Sequence, residues 1–361
     1  MFFGVHDEFM MSSCGDEIPD DQSTPDIDDF IAVNPKLIHS IDHTRDLFFS
    51  HLGYESVVLN NGDVAFGDRE IPAIVIINEE GELQKEISSG RGPGEILDAY
   101  RFTKDADGNV YTYDQDNDKL IIYDKEFNLL REVIPPNYES TTMLKAYKTG
   151  QENELLLELT SFEYLRDESK DRENILIQYN TETETYGGEK ILKAQPYARL
   201  YVDGSPAGAS LVPYSYGNIT AYHPRNQTLF IYDTATDLIA EINASFDTVR
   251  TVSVNLPSEP ISSAERDSMQ NSYIDLRWDA IKELLPDIKA PADKMMYHKG
   301  EFWLKSNIEA DTEVWLVADM EGVIDRVVHL PKESMLTHVS DKHLGVRLDD
   351  VTFALFTNPE L

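Results

Sequence analysis

The sequence predicts an all-β fold, a six-bladed β-propeller built from four-stranded antiparallel blades. A repeated unit is the first indication: an extended run ends in Asp, a polar loop follows, and a second extended run ends in Asn or Asp before a tight turn. Clear copies occupy residues 110–135 and 228–254, and weaker copies begin at Asp63 and Glu301. Six turns rich in Gly, Asn or Asp, near residues 61, 107, 149, 225, 299 and 341, are the second indication. Repetition of a four-strand unit at this period is typical of a propeller.

The propeller is expected to occupy residues 36–361. Residues 1–35 are acidic and contain Pro19, Pro25 and Pro35, and they show no apolar periodicity, so this segment is predicted to be disordered. The final blade supplies only three strands, 335–339, 343–349 and 351–357. Residues 36–42 are therefore predicted to provide its fourth strand, because such closure removes free sheet edges.

Insertions are predicted at three places in the propeller. In the third blade, a charged loop from Ser161 to Arg172 separates strands 155–160 and 173–180. A second insertion, 201–216, is rich in Gly, Pro, Ser and Tyr and precedes the fourth blade.

The third is one helical insertion near residues 262–285. Ser262 with Glu265 forms a capping-box pattern at its start, and Pro286 ends it. Its apolar stripe, expected to pack on the side of the propeller, consists of Ile274, Trp278, Ile281 and Leu285.

Composition excludes several partners. The formal net charge is −35, so the chain repels nucleic-acid backbones and anionic membrane surfaces. The sequence has no apolar run of about 18 residues, so no transmembrane helix is predicted. The chain is expected to be a monomer that contacts a membrane only through a lipid anchor. Such acidity is compatible with binding of divalent cations or with a salty, extracytoplasmic setting. It is also compatible with a solvated surface that keeps the protein soluble.

Cys14 is the only cysteine, and its context resembles a bacterial lipobox, since Met11, Ser12 and Ser13 precede it. This resemblance implies lipidation of Cys14, with the acidic run after it as a tether. The segment before Cys14 has no Lys or Arg, unlike a signal peptide. An incidental free thiol therefore remains the alternative interpretation.

The segment from Ser89 to Glu95 (SGRGPGE), the turn at Asp107-Gly108-Asn109 and the strands VYTYD and KLIIYD together resemble the NHL-type repeat. More broadly, residues 36–361 resemble the six-bladed TolB-like propellers found among envelope lipoproteins of Bacteroidota. This resemblance implies a fold and a location, as an outer-membrane lipoprotein or a periplasmic protein, more than it implies a reaction.

A ligand site is expected on the face that carries the d–a and b–c loops, where strands a to d of each blade run from the axis outward. The candidate residues are Arg91, Glu95, Asp114, Asp116 and Asn117. Glycines in this loop expose backbone N–H groups, and Arg91 could clamp a carboxylate or sulfate. The alternative is that the loop makes a tight crossover between blades, held by Arg91 and Glu95.

A candidate calcium site consists of four aspartates that end strand b in their blades: Asp68, Asp114, Asp233 and Asp349. If they converge on the axis, their oxygens could hold Ca²⁺. The alternative is that each carboxylate caps its own b–c turn.

These observations favour a non-catalytic propeller of the bacterial cell envelope that binds a protein, a small molecule or a glycan. The sequence has no motif for a catalytic nucleophile, a P-loop or a helical zinc pair. The first alternative is a divalent-cation-dependent hydrolase or lyase, lactonase-like, with its site on the axis. The second is a sensor that uses the 161–172 loop and the helical insertion to bind a protein.

Overall fold

The computed structural model describes residues 25–44, 47–70, 73–98 and 101–359. Cys14 therefore lies outside the described residues. Two strands, β1 (Ile31–Val33) and β2 (Leu37–Ile41), precede six blades whose innermost strand comes first in the chain.

Blade one contains β3 (Leu52–Val58), β4 (Val64–Asp68), β5 (Ala73–Ile77) and β6 (Leu83–Ile87). Blade two contains β7 (Thr103–Lys104), β8 (Val110–Asp114), β9 (Lys119–Tyr123) and β10 (Leu129–Val133). Blade three contains β11 (Thr141–Lys148), β12 (Glu154–Ser161), β13 (Glu173–Asn180) and β14 (Thr185–Lys193). A separate hairpin follows, formed by β15 (Tyr197–Val202) and β16 (Ser205–Leu211).

Blade four contains β17 (Asn218–His223), β18 (Thr228–Asp233), β19 (Leu238–Ile242) and β20 (Thr248–Ser253). Two helices come next, α1 (Ser263–Ser272) and α2 (Asp275–Ile281). Blade five contains β21 (Ala292–His298), β22 (Glu301–Ser306), β23 (Glu313–Ala318) and β24 (Ile324–Leu330). Blade six contains β25 (Met335–Val339), β26 (His343–Arg347) and β27 (Phe353–Thr357). Short 3₁₀ helices cover Ile27–Asp29 and Glu163–Leu165.

The predicted six-bladed propeller is confirmed, and all six predicted turns lie between the first two strands of a blade. Middle strands read as apolar runs because both of their faces are covered by neighbouring blades. All five residues of β4 and all five of β5 are buried, whereas β6 at the outer edge is mostly exposed.

Apolar side chains between adjacent blades hold the ring together. Phe66 of blade one stacks on Phe353 of blade six, with ring centroids 4.5 Å apart. Phe230 of blade four meets Phe302 of blade five edge-to-face at 4.8 Å. Such aromatic pairs add roughly 0.5–1.5 kcal/mol beyond the area they bury.

The N-terminal strands complete two blades. As predicted, β2 pairs antiparallel with β27 and gives blade six its fourth strand. Unexpectedly, β1 pairs parallel with β24 and adds a fifth strand to blade five. The segment predicted to be disordered, residues 1–35, was therefore too long. Ile31 to Val33 pair with a free sheet edge of blade five that the sequence pattern did not show.

The helical insertion begins at the predicted capping box, in which Glu265 N–H bonds to Ser262 Oγ at 3.1 Å. It forms two helices, not one, and Ile274 lies between them as the N-cap residue of α2, 70% exposed. Ile281 is buried with Ala198 and Val212 of the preceding insertion. The stripe was predicted to pack on the propeller side, but it packs on the hairpin β15–β16. In the part of the chain that the structure describes, no helix is long and apolar enough to cross a membrane.

Candidate functional site

A cavity of about 660 Å³ lies along the propeller axis. Every innermost strand contributes to its wall, namely β3, β7, β11, β17, β21 and β25. Residues of the a–b turns, including Asn61, Pro224, Lys299 and Asp341, also line it. The cavity therefore opens on the face of the a–b turns, opposite the d–a and b–c loops.

Positive charge dominates the cavity wall although the whole chain is strongly acidic. Five lysines line the cavity: Lys104, Lys145, Lys294, Lys299 and Lys342. Three histidines also line it, His298, His338 and His343, against only three acids, Glu55, Glu79 and Asp341. In a chain of net charge −35, this excess of lysine creates a local attraction for anions.

An ionic cluster occupies the inner part of the cavity. Glu55 of β3 pairs with Lys145 of β11, with an N–O distance of 2.6 Å. Lys294 of β21 donates to the backbone carbonyl of Leu336 at 2.9 Å, and it lies 3.4 Å from the Tyr54 carbonyl. One carboxylate therefore faces two ammonium groups that come from different blades.

Burial and the surrounding charges shift the pKa values in this cluster. Burial works to raise the pKa of Glu55, but Lys145, Lys294 and Arg101 together hold it below its usual value. Burial lowers the pKa of Lys294 to about 8; Glu55 opposes this change and Lys145 adds to it. At neutral pH Glu55 is therefore ionised and Lys294 is mainly protonated.

A second polar group lies on the wall formed by blades one and six. Ser56 Oγ is 2.6 Å from Thr337 Oγ1 and 2.6 Å from His338 Nδ1. The His338 Nε2 atom is buried and has no hydrogen-bond partner within the described chain. Burial, with smaller effects of His343, Lys104 and His298, lowers the pKa of His338 to about 3. This imidazole is neutral at neutral pH.

Ion pairs join turns of neighbouring blades at the mouth of the cavity. Asp341 accepts from His298 Nε2 at 2.8 Å and pairs with Lys299, which lies in the neighbouring blade. Lys342 pairs with Glu79 at 2.8 Å. These pairs are exposed, so they contribute little stability, and an incoming anion can compete for their cations.

The remaining wall is aromatic and hydrogen-bonded. Tyr147 donates to Glu158 Oε2 at 2.6 Å, and Thr220 donates to the same oxygen at 2.9 Å. Burial and the Glu158 carboxylate raise the pKa of Tyr147 well above its ordinary value. Tyr222 and Tyr297 add further phenol rings to the lining. The cavity thus combines cations with flat apolar surfaces.

The five predicted ligand residues lie outside this cavity, on the opposite face. Glu95 accepts from the N–H of Gly92 in its own loop at 2.7 Å. Asn117 donates to the Gly90 carbonyl at 3.2 Å and to Asp114 at 2.6 Å. The loop that carries Arg91 is therefore fastened to the b–c turn of blade two, as a tight crossover requires. Arg91 and Asp116 are exposed.

The four predicted calcium ligands cap local turns. Asp68 accepts from Glu70 N–H and Asp114 accepts from Asn117 N–H, each within its own b–c turn. The two carboxylates also accept from the Ser50 and Leu97 N–H groups, which precede the innermost strands of their blades. Asp233 accepts from Ala235 N–H, and Asp349 accepts from Val351 and Thr352 N–H groups. Among the described residues, no three side chains of His, Cys, Asp or Glu come together to hold a metal ion. Each of these carboxylates is therefore hydrogen-bonded by backbone N–H groups of its own b–c turn.

Sequence reasoning missed the cavity lysines. Lys145 and Lys294 each interrupt an innermost strand whose other residues are mainly apolar or β-forming. A charged residue in the middle of such a strand is the signal that could have indicated an axial site.

No protein-family model matches this sequence, and no curated protein does so either. The fold is similar to solved propellers. One is a candidate exported protein from Bacteroides fragilis, 15% identical over 92% of this chain and 100% of that chain, with a TM-score of 0.51. Another is a member of the duf4221 family from Bacteroides vulgatus, 12% identical over 90% of this chain and 97% of that chain, with a TM-score of 0.50.

Virginiamycin B lyase from Staphylococcus aureus is also similar, 10% identical over 89% of this chain and 99% of that chain. Its TM-score is only 0.45, so the likeness says nothing about activity. At these identities the comparisons establish a shared fold alone.

Proposed function

We propose that the protein is a non-catalytic binding module that captures a small anionic ligand, such as an acidic sugar or a short acidic glycan, in its axial cavity. The observation that carries this proposal is the convergence of five lysines in a cavity of about 660 Å³ within a chain of net charge −35. A cavity of this volume suits a small molecule.

The chemistry of the wall supports a ligand with a carboxylate, sulfate or phosphate group. Lys294 donates to backbone carbonyls and makes no ion pair in the described part of the chain, so an entering anion gains an ammonium partner there without breaking the Glu55–Lys145 pair. The low-dielectric wall strengthens such charge-assisted hydrogen bonds. Tyr222 and Tyr297 offer ring faces for the apolar side of a sugar.

Calorimetric titration with D-glucuronate and with D-glucose tests this function. The expected result is binding of glucuronate and at least tenfold weaker binding of glucose. Lys145→Gln should weaken glucuronate binding about tenfold, since one charge-assisted hydrogen bond contributes about 1.4 kcal/mol or more. Lys125→Gln is the matched control, because Lys125 is 57% exposed and lies outside the cavity.

Equal affinity for the two sugars, or no effect of Lys145→Gln, would remove the support for an anion site. The first result would point to recognition of hydroxyl groups, and the second to binding elsewhere on the surface.

We also propose that the protein works in the bacterial cell envelope, anchored through Cys14. The lipobox-like sequence before Cys14 supports this location, as does the fold shared with a candidate exported protein. Expression of the chain behind a lipoprotein export signal should yield a diacylated protein in the membrane fraction, detected by mass spectrometry, whereas Cys14→Ser should remain unmodified. An unmodified Cys14 in soluble protein would contradict the anchor.

A further inference from the structure

Lys294 is a lysine of the cavity wall that is held by backbone carbonyls. It lies in β21, the innermost strand of blade five, and its half-buried side chain lines the cavity. Its Nζ atom reaches the next two blades, where it donates to the Leu336 carbonyl at 2.9 Å and lies 3.4 Å from the Tyr54 carbonyl. It forms no ion pair within the part of the chain that the structure describes.

Charges of both signs face Lys294. Glu55 of β3 and Asp293 of its own strand favour its protonation, whereas Lys145 of β11 and Lys305 of β22 oppose it. Burial has the largest effect and lowers the pKa of Lys294 to about 8. At pH 7 about a tenth of Lys294 is therefore the free amine, roughly 300 times the fraction of a lysine with the ordinary pKa of 10.5.

The other four cavity lysines have acidic partners or face acidic groups alone. Three of them form ion pairs: Lys145 with Glu55, Lys299 with Asp341, and Lys342 with Glu79. Lys104 donates to the Val58 carbonyl at 2.5 Å, and the charges of Asp105 and Asp341 favour its ammonium form. Among these five described lysines, Lys294 alone combines neighbouring ammonium groups with the absence of an ion pair.

The free amine of Lys294 can keep its hydrogen bonds and still react. A neutral amine has two N–H groups, which suffice for the carbonyls of Leu336 and Tyr54, and its lone pair remains available to an electrophile. The two carbonyls belong to the innermost strands of blades six and one, so they fix the nitrogen at the cavity wall. The nucleophile is thus positioned before a ligand arrives.

We propose that Lys294 forms a reversible imine with an aldehyde or ketone ligand that enters the cavity. The amine nitrogen adds to the carbonyl carbon, and the carbonyl oxygen then leaves as water, which takes both amine protons with it. A C=N bond replaces the C=O bond, and no oxidant or reductant is consumed. Lysine amines in desolvated sites or beside other cations form such Schiff bases.

The ligand is expected to carry a carboxylate as well as the carbonyl group. The carboxylate follows from the proposed function, on which this part of the inference rests, whereas imine formation needs only Lys294 and a carbonyl carbon.

Reductive trapping of the full chain tests the imine. Sodium cyanoborohydride converts an imine into a stable secondary amine, so glyoxylate leaves a carboxymethyl group, and acetaldehyde an ethyl group, on each lysine that reacted. Peptide mass spectrometry then gives the rate of modification at each lysine. Lys125 is the internal control, since it is 57% exposed and lies outside the cavity. The ratio of the rates at Lys294 and Lys125 removes the difference in reactivity between the two aldehydes.

We expect Lys294 to react with glyoxylate at least tenfold faster than Lys125 at pH 7. The ratio should be smaller with acetaldehyde, because acetaldehyde has no carboxylate for the cavity cations to attract. Lys294→Arg keeps the positive charge but has no nucleophilic amine, so it should abolish the fast modification. Lys125→Arg should leave it unchanged.

If Lys294 reacted no faster than Lys125 with both aldehydes, the imine would be overturned, even if calorimetry showed that glucuronate binds. Fast reaction of Lys294 with an equal ratio for both aldehydes would support the imine and count against the anion preference of the proposed function. Both measurements use the wild-type protein, so they do not depend on the folding of Lys294→Arg.

Discussion

At the scale of residues, the predicted and observed roles differ most for charged side chains. Asp68, Asp114, Asp233 and Asp349 recur at corresponding positions, and this recurrence suggested a ring of ligands. A position repeated in four blades more often serves the blade itself, and here each carboxylate accepts a backbone N–H bond within its own b–c turn.

The cavity lysines, in contrast to these aspartates, line the candidate site but were not predicted to do so. Lys145 and Lys294 each lie inside an innermost strand, but no other blade repeats them at the corresponding position, so the repeat pattern did not draw attention to them. Their role depends on the convergence of innermost strands separated by more than a hundred residues. Sequence reasoning predicted the residues that shape turns, because those act locally, and missed the residues that meet on the axis.

His338 should make the protein sensitive to acid. The pKa of this buried imidazole is about 3 in the folded protein and about 6.5 in the unfolded chain. Between these values only the unfolded chain binds the proton, so the free energy of unfolding falls as pH decreases, by at most about 1.4 kcal/mol per pH unit.

His338→Gln, which cannot be protonated, should lose stability less steeply than the wild type between about pH 6.5 and pH 4. Urea unfolding at several pH values measures the two slopes. His43→Gln is the control, since the side chain of His43 is 54% exposed. Parallel curves for the wild type and His338→Gln would show that His338 does not cause acid sensitivity.

At the scale of elements, the sequence predicted most of the strands because each blade repeats a local pattern. The strands β13 and β25 have the predicted bounds, and the predicted closing strand at 36–42 is β2. The parallel pairing of β1 with β24 could not be predicted, because a three-residue strand has no periodicity and its partner lies far along the chain.

The turn between the third and fourth strands of blade five contains a glycine that contacts blade four. Gly322 has φ +85°, and a Cβ atom there would lie 2.0 Å from the backbone oxygen of Ser253. Gly300 has φ +90°, but the nearest atom to its Cβ position, Met320 Cγ, is 3.7 Å away. The two glycines have similar backbone strain and differ in available space.

Gly300→Ala should lower the free energy of unfolding by about 1–2 kcal/mol, the cost of a left-handed conformation. Gly322→Ala should lower it by about 1–3 kcal/mol more, since the blades must also move apart. Urea unfolding of both variants checks the difference. Equal losses of free energy of unfolding in the two variants would mean that blades four and five can move apart at Gly322 without loss of stability.

Two isoleucines of β2 test the closure of blade six. Ile41 is half-buried against the core between blades one and six, next to Phe353, whereas Ile38 is 45% exposed. Ile41→Asp should cost about 2 kcal/mol or more, because it places a charge against an apolar core. Ile38→Asp on the same strand should change stability by less than about 1 kcal/mol. Thermal unfolding measures both effects. If both variants melted like the wild type, the pairing of β2 with blade six would contribute nothing to stability.

At the scale of the whole molecule, the charge of the surface and the charge of the cavity have opposite signs. The net charge of −35 repels an approaching anion, and the cavity lysines attract it only at short range. Salt screens the long-range repulsion first, because the Debye length is about 10 Å at 0.1 M.

The association rate of an acidic ligand should therefore rise as salt increases from about 20 to about 200 mM, although the affinity falls. Stopped-flow measurements with a fluorescent glucuronide separate the two rate constants. A neutral glucoside serves as the control and should associate at a rate that salt does not change. An association rate that falls with salt would show that the cavity attracts ligands over long distances.

The pairing of β2 with β27 also imposes an order on the formation of the molecule. Lys36 N–H bonds to Thr357 Oγ1 across 321 positions of the chain. During synthesis β2 leaves the ribosome before all six blades, and its partner β27 leaves it after the other strands of the propeller. Five blades can fold while the chain grows, but the ring stays open and β2 stays unpaired until β27 has been translated. Contacts of such sequence separation form slowly, so closure of the ring is expected to be the late step by which the finished protein differs from its nascent chain.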